Sequence, residues 1–475
     1  MSFKKTTKAD KLSQELIVRI IDILYGVEDY KTIRRACSLV NKRWRFEQYQ
    51  KRVTKYKKFV ELLANPHYTF QSQSRFLSIE GGLRDWGDVF TPTKANWMDP
   101  IFKHIDQWMS ITSLTLRNIE KGSLRSEGWK YLTQDNEDAI KFRSRIERLT
   151  LEQFPAIRQE KDFMMLLAFI HGFSSLQYLS FDPFTKLVDD GASKSDQGQE
   201  EEPQLFRIPG LDEARAISLA QDAPSAPVTI TEVKLDSIRG SNGIPYAVLF
   251  EWLRLGGASL RSLFIRLDVM HELDLPSFVR YLHHSSPNLE KLEFEAPYYG
   301  RDLAETMDFE MLMEARLELM AKFKTLFEQK PFEKCAAVQD ITVRRMFLYE
   351  LFNGVSVSLI PIDTFVSGIC GQSLKHLRLE VWTDLADDEG FDREAEIDTW
   401  RKADVLLAGD AFPALESVVI SISVILDTLF DQYFDIEEVA QKRSTVMVPY
   451  FRSILRKCHE RGILKFKFEP IDLGW

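Results

Sequence analysis

The chain has 475 residues, of which 44% are hydrophobic and 28% are charged, and its formal net charge is −9. This composition is that of a folded globular protein, but the length exceeds what one compact core usually holds. The charge is uneven, because residues 1–60 hold ten Lys and six Arg against six acidic residues, whereas the remainder carries −19. The acidic remainder argues against nucleic acid as the main partner, since phosphate binding needs clustered positive charge.

The four cysteines, Cys37, Cys335, Cys370 and Cys458, are scattered and none is in C-x-x-C spacing. This spacing supports neither a zinc site nor a dithiol redox site, and few unpaired cysteines are typical of a reducing compartment. The N-terminus has no apolar stretch of signal-peptide length, and no run of 18 apolar residues predicts a membrane span. We therefore expect a cytoplasmic or nuclear protein without a membrane partner.

In chain order, residues 10–65 are predicted to form a module of three helices. Ser13 is a suitable N-cap, and the apolar residues after it recur at helical spacing until Gly26. The second and third helices follow in the same way, and Pro66 closes the module. The last helix also has a basic face, formed by Lys51, Arg52, Lys55, Lys57 and Lys58.

Residues 70–475 are dominated by an apolar triplet of the form h-x-x-h-x-h. Its last two members have the spacing of a short strand with one buried face, and most copies follow a helical pattern. Stacked copies of a helix and a strand can bury faces that one copy cannot. We therefore expect an α/β solenoid with parallel strands on its concave face and helices on its convex face. The copies are Ile111-Leu114-Leu116, Ile146-Leu149-Leu151, Leu176-Leu179-Phe181, Ile230-Val233-Leu235, Leu260-Leu263-Ile265, Leu289-Leu292-Phe294, Val338-Ile341-Val343, Leu374-Leu377-Leu379, Leu415-Val418-Ile420 and Ile463-Phe466-Phe468.

The segments between the triplets predict further elements. Leu77 and Ile79 indicate one more, weaker strand before the first triplet. Helical apolar patterns precede several triplets, at Asp162–Phe173, Tyr246–Leu255, Pro276–His284, Ile362–Cys370 and Arg443–Arg461. Met307–Gln329 favours a long amphipathic helix, and two acidic stretches favour solvated loops, a disordered one near 189–203 and another at Asp384–Asp398.

The first module resembles an F-box. The residues that carry the resemblance span about 35 positions; they are Leu12-Ser13, Glu15-Leu16, Ile20, Ile23-Leu24, Asp29-Tyr30, Ser38 to Lys42 and Trp44-Arg45. The family usually has Pro where this chain has Ser13, and Leu where it has Tyr30. The resemblance implies docking on a Skp-type adaptor through Leu12, Ser13, Leu16, Ile20, Leu24, Val40 and Trp44.

An F-box followed by such repeats resembles the F-box/leucine-rich-repeat class, in particular its divergent, fungal-like members, although the intervals of 29–54 residues are longer than the usual repeat of roughly 20–29. The resemblance implies a non-catalytic substrate receptor of a Skp–cullin–F-box ubiquitin ligase, whose repeat domain binds a target protein. The alternative is a free-standing leucine-rich-repeat interaction scaffold without adaptor binding. A third hypothesis is a basic N-terminal arm that contacts nucleic acid.

The target-binding surface is predicted from strand alternation. The residue between the two apolar strand positions, and the residue after them, point to the face opposite the core, which in a solenoid is the concave wall. Charges of both signs around an occasional aromatic residue suit protein recognition. The candidate residues are Lys234, Asp236, Phe264, Arg266, Glu293, Glu295, Arg344, Arg378 and Glu380.

Motifs for catalysis and metal binding are not found in the sequence. No Walker loop, G-x-S-x-G elbow, G-x-G-x-x-G or H-E-x-x-H occurs. Adjacent residues on a helix point about 100° apart, so His283 and His284 make a poor pair of metal ligands. We therefore expect no catalytic residue, no metal, no cofactor and no enzymatic activity, although parallel strands keep an α/β enzyme formally possible.

Overall fold

The structure is a computed structural model. It describes residues 75–80, 105, 108, 110–117, 132, 137–152, 160–182, 211–235, 246–266, 275–285, 287–295, 321, 324–349, 361–383, 394–425 and 436–471. The F-box-like module, including all seven predicted adaptor-binding residues, lies outside the described residues. So do the acidic stretch 189–203 and most of the long helix predicted at Met307–Gln329, of which only 321 and 324–328 are described as helical.

The chain divides into two compact units. Unit 1 comprises Met1–Leu77, Arg84–Ser113 and Lys121–Arg145, and unit 2 comprises Ser78–Leu83, Leu114–Glu120 and Ile146–Trp475. In unit 1, the backbone amides of Thr112 and Ser113 both donate to the carbonyl oxygen of Arg75 at 3.0 Å. The Arg143 guanidinium donates to the carbonyl oxygen of Leu132, also at 3.0 Å.

Eleven strands form one parallel sheet in an α/β fold, and their order in the sheet is their order in the chain. Nearly all of the strand residues belong to unit 2. Because none of the strands that the structure describes returns past an earlier one, each strand inside the sheet pairs with the strands before and after it in the chain. The strands are β1 Phe76–Glu80, β2 Ser113–Arg117, β3 Arg148–Glu152, β4 Tyr178–Asp182, β5 Glu232–Leu235, β6 Ser262–Arg266, β7 Lys291–Glu295, β8 Asp340–Tyr349, β9 His376–Thr383, β10 Ser417–Ile425 and β11 Leu464–Ile471.

The apolar triplets form the core of this sheet, as predicted for nine of the ten. Every member of the first nine triplets is at most 3% exposed. From β3 to β10 the register aligns equivalent triplet positions, for example Leu263 with Leu292 and Leu292 with Ile341. The weaker strand predicted at Leu77 and Ile79 is confirmed as β1, with both side chains buried.

The predicted strand positions of the tenth triplet are wrong by two residues. Val418 pairs with Leu464 and Ile420 with Phe466, so the equivalent strand positions in β11 are Leu464 and Phe466 rather than Phe466 and Phe468. Apolar residues occupy every second position of this strand, and a shift of two residues therefore keeps the same side chains on the same face. The hydrogen bond from the Val418 amide to the Ile463 carbonyl oxygen, at 2.9 Å, belongs to the observed register.

Helices precede the strands, and five segments predicted as helical contain one. The described helices are α1 Glu137–Arg143, α2 Glu160–His171, α3 Glu213–Asp222, α4 Tyr246–Leu255, α5 Leu275–Ser285, α6 Ile362–Ser367, α7 Glu394–Leu407, α8 Ile436–Ile454 and α9 Arg456–Glu460. The predicted Arg443–Arg461 helix is interrupted, because Leu455 leaves helical geometry between α8 and α9.

Three helices were not predicted, and one of them corrects an expectation. The loop expected at Asp384–Asp398 is partly wrong, because α7 begins at Glu394. In α3 the buried residues are small, Ala216 and Ala220 beside Leu219, so the apolar periodicity is weak. A usable signal was Asp212, whose carboxylate accepts a hydrogen bond from the Arg215 amide at 2.7 Å as an N-cap.

Buried carboxylates join neighbouring helices of unit 2. Glu251 of α4 is fully buried and accepts hydrogen bonds from Arg254 in its own helix and from Arg280 of α5, both at 2.8 Å. Asp404 of α7 accepts the backbone amides of Lys457 and Cys458 at 2.8 and 2.9 Å. Asp404 therefore caps α9 and fixes the helix that leads into β11.

Candidate functional site

One face of the sheet is polar, because the residues between the buried triplet positions point away from the core. We call this surface the polar face. Register places its residues in rows across the strands. The middle row is Thr150, Ser180, Lys234, Phe264, Glu293, Thr342, Arg378, Val419 and Lys465. These positions are half-buried, except for Ser180, which is buried, and Lys465, which is exposed.

Opposite charges pair on the polar face of β6–β8. The Arg266 guanidinium lies 2.5 Å from a Glu295 carboxylate oxygen, and the Arg344 guanidinium lies 2.6 Å from a Glu293 carboxylate oxygen. One pair therefore joins β6 to β7 and the other joins β7 to β8. Next to them, the Lys234 ammonium of β5 sits 5.0 Å from the ring centroid of Phe264 of β6, within the range of a cation–π interaction.

The polar face contains a pocket of about 280 Å³, which we call the central pocket. Five of the nine predicted target-binding residues line it: Lys234, Phe264, Glu293, Glu295 and Arg344. Tyr178 and Glu232 line its other side, and the Arg148 guanidinium stacks 3.9 Å from the Tyr178 ring centroid. The pocket thus combines two aromatic rings with charges of both signs, a combination that suits a protein partner.

Some predicted target-binding residues are less accessible than an open wall implies. Arg266, Glu295 and Glu380 are 8%, 6% and 5% exposed. Arg266 and Glu295 pair with each other, and Glu380 accepts a hydrogen bond from the Ser423 hydroxyl at 3.1 Å. Their part in target binding stays a prediction. Asp236 lies outside the described residues.

The polar face of β9–β11 differs from that of β6–β8. Arg378 donates to the Ser421 hydroxyl at 3.1 Å, which ties β9 to β10. Lys465 and Lys467 of β11 are exposed on this face. Lys465 was not predicted as a face residue because the tenth triplet was placed two residues too late. The register and the burial alternation of β11 place it on this face.

Asp340, His376 and Ser417 occupy one row of β8, β9 and β10. The Nδ1 atom of His376 lies 2.9 Å from the Ser417 hydroxyl oxygen. Ser417 is only 4% exposed, so a substrate carbonyl could not reach its hydroxyl without movement of the strands. In this conformation the contact joins β9 to β10.

A second pocket, of about 460 Å³, lies where β7 to β9 begin. Its polar lining includes the amide side chains of Asn288, Gln339 and Gln372, together with Glu290 and Lys375. The Asn288 amide donates to the Ser259 hydroxyl at 2.6 Å and so holds neighbouring turns together. Among the residues that the structure describes, no cluster of three or more His, Cys, Asp or Glu side chains is placed to hold a metal ion.

No protein-family model matches this chain, and no curated protein matches it. A similar solved structure is described as a sugar phosphate isomerase/epimerase from Parabacteroides distasonis. It is 12% identical, the match covers 55% of this chain and 83% of that chain, and the TM-score is 0.19. Likeness at this level carries no argument about this chain's reaction.

The comparison nevertheless corrects one expectation from the sequence. We expected no enzymatic activity, whereas the solved structure that resembles the chain is described as an enzyme. The expectation is contradicted, and we do not carry it further. Within the described part of the chain, no helix combines the length and apolar character that crossing a membrane requires.

Proposed function

We propose that the chain is a substrate receptor of a Skp–cullin–F-box ubiquitin ligase, working in the cytoplasm or nucleus. Its leucine-rich-repeat solenoid binds a target protein on the polar face, and residues 10–65 dock on the Skp-type adaptor. The observation that carries the proposal is the sequential order of eleven parallel strands, most of them preceded by a helix. Such an order is typical of repeat proteins, in which each repeat contacts its neighbours, whereas doubly wound sheets reverse direction.

The central pocket is the proposed centre of target binding. Phe264 is half-buried there between Lys234 and Glu293, and an aromatic side chain surrounded by charges is a frequent binding hot spot. The neighbouring ion pairs hold the pocket walls in place before a partner arrives, which reduces the entropic cost of binding. The target would then be tethered beside the ubiquitin-transferring subunits, which raises its effective concentration there.

Target binding is tested with matched phenylalanine variants. Phe264→Ala and Phe76→Ala each remove a phenyl ring from a sheet residue, but Phe76 is 51% exposed on β1 and lies outside the central pocket. The tagged full-length chain is used to capture proteins from its own cells, and the captured proteins are quantified by mass spectrometry. We expect Phe264→Ala to lose specific partners that Phe76→Ala retains. Equal capture by both variants would contradict the proposed centre of binding.

Adaptor docking is tested separately. Leu16→Asp and Ile20→Asp place a charge on the apolar face of the first predicted helix, and Val228→Asp introduces the same charge at a site that is 69% exposed. We expect the first two variants to lose the Skp-type adaptor and Val228→Asp to keep it. If the intact chain captures a target but no adaptor, the free-standing scaffold is correct instead.

A further inference from the structure

Two cysteines that are far apart in the sequence lie next to each other where two neighbouring repeats begin. Cys335 lies in the turn before β8, and Cys370 lies between α6 and β9. The backbone amides of both cysteines donate to one acceptor, the carbonyl oxygen of Phe332, at 3.1 Å from Cys335 and 3.3 Å from Cys370. Ile369, the residue before Cys370, forms a parallel bridge with Phe332. The fold therefore brings together two thiols whose spacing in the sequence does not indicate a dithiol site.

The backbone around this pair suits a disulfide. A disulfide joins residues whose Cα atoms are roughly 4–7 Å apart. Because both amide nitrogens lie within 3.3 Å of the same oxygen atom, and each Cα is one bond from its nitrogen, the two Cα atoms are within reach of this range. Neither Cys335 nor Cys370 belongs to a helix or a strand, so a small shift of either segment would leave the sheet intact.

The two thiols differ in how well solvent can reach them. Cys335 is 1% exposed, whereas Cys370 is half-buried. The Sγ atom of Cys335 lies 3.9 Å from the carbonyl oxygen of Pro331, a weak contact that rotation of the side chain would release. Burial, followed by the charge of nearby Cys370, raises the pKa of Cys335 to about 12. A dissolved oxidant would therefore react first with Cys370, and Cys335 is placed to react second.

We propose that Cys335 and Cys370 form a reversible oxidation site, which closes to a disulfide by exchange with a low-molecular-weight disulfide such as oxidised glutathione. Both thiols are free in the structure. In the first step the Cys370 sulfur attacks one sulfur of the oxidant, the bond between the oxidant's sulfurs breaks, and one glutathione leaves with the proton that Cys370 gave up. In the second step the Cys335 sulfur attacks the Cys370 sulfur, and the second glutathione leaves with the Cys335 proton. Two protein thiols are thereby oxidised and one disulfide is reduced to two thiols.

The disulfide would join two consecutive repeats beside the second pocket. Ala337 and Gln372, which each lie two residues after one of the cysteines, both line that pocket. The closed loop would contain α6 and most of β8. Closing a loop restricts the unfolded chain and so stabilises the folded one. In a reducing compartment such a bond forms transiently and is typical of redox sensing.

The test identifies the bond in the purified full-length chain. The folded protein is incubated with oxidised glutathione, the remaining thiols are alkylated in denaturant, and non-reduced tryptic peptides are measured by mass spectrometry. Lys and Arg residues separate all four cysteines into different peptides, so every pairing can be told apart. The variants are Cys335→Ser and Cys370→Ser. Cys458→Ser is the control, because Cys458 is also buried but lies in α9 beside Asp404. Circular dichroism checks that each variant is folded.

We expect the wild type and Cys458→Ser to yield a peptide that joins Cys335 to Cys370, and dithiothreitol to separate it again. Cys335→Ser should stop after the first step, with glutathione attached to Cys370. Cys370→Ser should leave Cys335 open to alkylation. A wild type in which Cys370 keeps glutathione and no joined peptide forms would overturn the inference. Joined peptides that contain Cys37 or Cys458 in comparable yield would overturn it too, because they would show that unfolded chains had reacted.

Urea denaturation followed by circular dichroism measures what the bond does to the fold. The oxidised wild type should unfold at a higher urea concentration than the reduced wild type, and dithiothreitol should remove the difference. Cys370→Ser should unfold at the same urea concentration with and without oxidised glutathione. An oxidised wild type that unfolds at the same or a lower urea concentration than the reduced protein would show that the bond strains these turns, and would overturn the site.

Discussion

The polar face of β6–β8 and that of β9–β11 are built on the same strand geometry, yet they use charge differently. In the first region each arginine of the face meets a glutamate of a neighbouring strand, Arg266 with Glu295 and Arg344 with Glu293. In the second, the exposed cations of β11 lie across a floor of serines from Arg378. The level of an arginine on its strand therefore does not by itself decide its partner. Arg266 meets Glu295 at its own level, whereas Arg344 lies level with Glu295 and meets Glu293.

The two regions should also differ in stability, which gives the largest expected effect. Leu292 of β7 is completely buried and lies between paired strands on both sides, whereas Leu464 of β11 is half-buried and pairs with β10 on one side. Leu292→Ala should lower the free energy of unfolding by about 3–5 kcal/mol, and Leu464→Ala by about 1–2 kcal/mol, because the cost grows with the cavity that remains.

Urea denaturation followed by circular dichroism measures both differences. Val405→Ala, at a position of α7 that is 50% exposed, serves as the surface control and should change the free energy of unfolding by less than about 0.5 kcal/mol. Equal costs for Leu292→Ala and Leu464→Ala would show that β11 is packed as tightly as the middle of the sheet.

Removal of the Glu295 carboxylate and removal of the Glu380 carboxylate should lower the free energy of unfolding by different amounts. Glu295→Ala leaves the mostly buried Arg266 guanidinium without its partner on β7, and should cost about 3 kcal/mol. Glu380 is as buried as Glu295 and accepts a hydrogen bond from the neutral Ser423 hydroxyl. Loss of that hydrogen bond in Glu380→Ala should cost about 1–2 kcal/mol.

A double variant sharpens this comparison. Arg266→Met/Glu295→Leu replaces both charges with apolar groups of similar size, and should recover most of the stability that Glu295→Ala loses. Urea denaturation of the three variants provides the measurement. If the double variant were as unstable as Glu295→Ala, the loss would come from side-chain packing and not from an isolated buried cation.

Apolar periodicity predicted most of the sheet, because a strand with one buried face has a strict pattern. It failed at β11, where Leu464, Phe466 and Phe468 satisfy two registers equally and only hydrogen bonding to β10 selects one. It also missed α3, whose buried alanines give a weak signal. Repeat periodicity thus predicts which residues are buried more reliably than it predicts the pairing register between neighbouring strands.

The candidate site could be predicted in part. Alternation along the strands placed Lys234, Phe264, Glu293 and Arg344 on one face, and the structure brings all four to the central pocket. The sequence does not reveal that Arg266 and Glu295 pair and become buried, because they are 29 residues apart and the pairing depends on register between strands. The position of Lys465 on this face was hidden for the same reason.

Each region also contains a buried thiol, and these give the smallest expected effect. Burial raises the pKa of Cys335, before β8, to about 12, with a smaller contribution from nearby Cys370. Burial and then the hydrogen bond and charge of Asp404 raise the pKa of Cys458, before β11, above its usual value of 9.0. In the unfolded chain both thiols ionise near pH 9, while in the folded chain they stay protonated. Their contribution to stability is therefore complete below pH 9 and is lost as pH rises towards the folded-state values.

The free energy of unfolding should fall by about 1.4 kcal/mol per pH unit for each thiol once the pH passes its unfolded pKa. Urea denaturation under reducing conditions between pH 8 and 10 measures this slope, below the range where the buried Tyr281, whose pKa burial also raises, would add to it. Cys335→Ala and Cys458→Ala should each flatten the slope by a similar amount, whatever their cost at pH 8. If Cys335→Ala flattened the slope but Cys458→Ala did not, the Cys458 thiol of the wild type would have to be reachable by solvent. β11 would then be opening from β10 in the folded chain. This small pH effect therefore reports on how firmly β11 is held against β10.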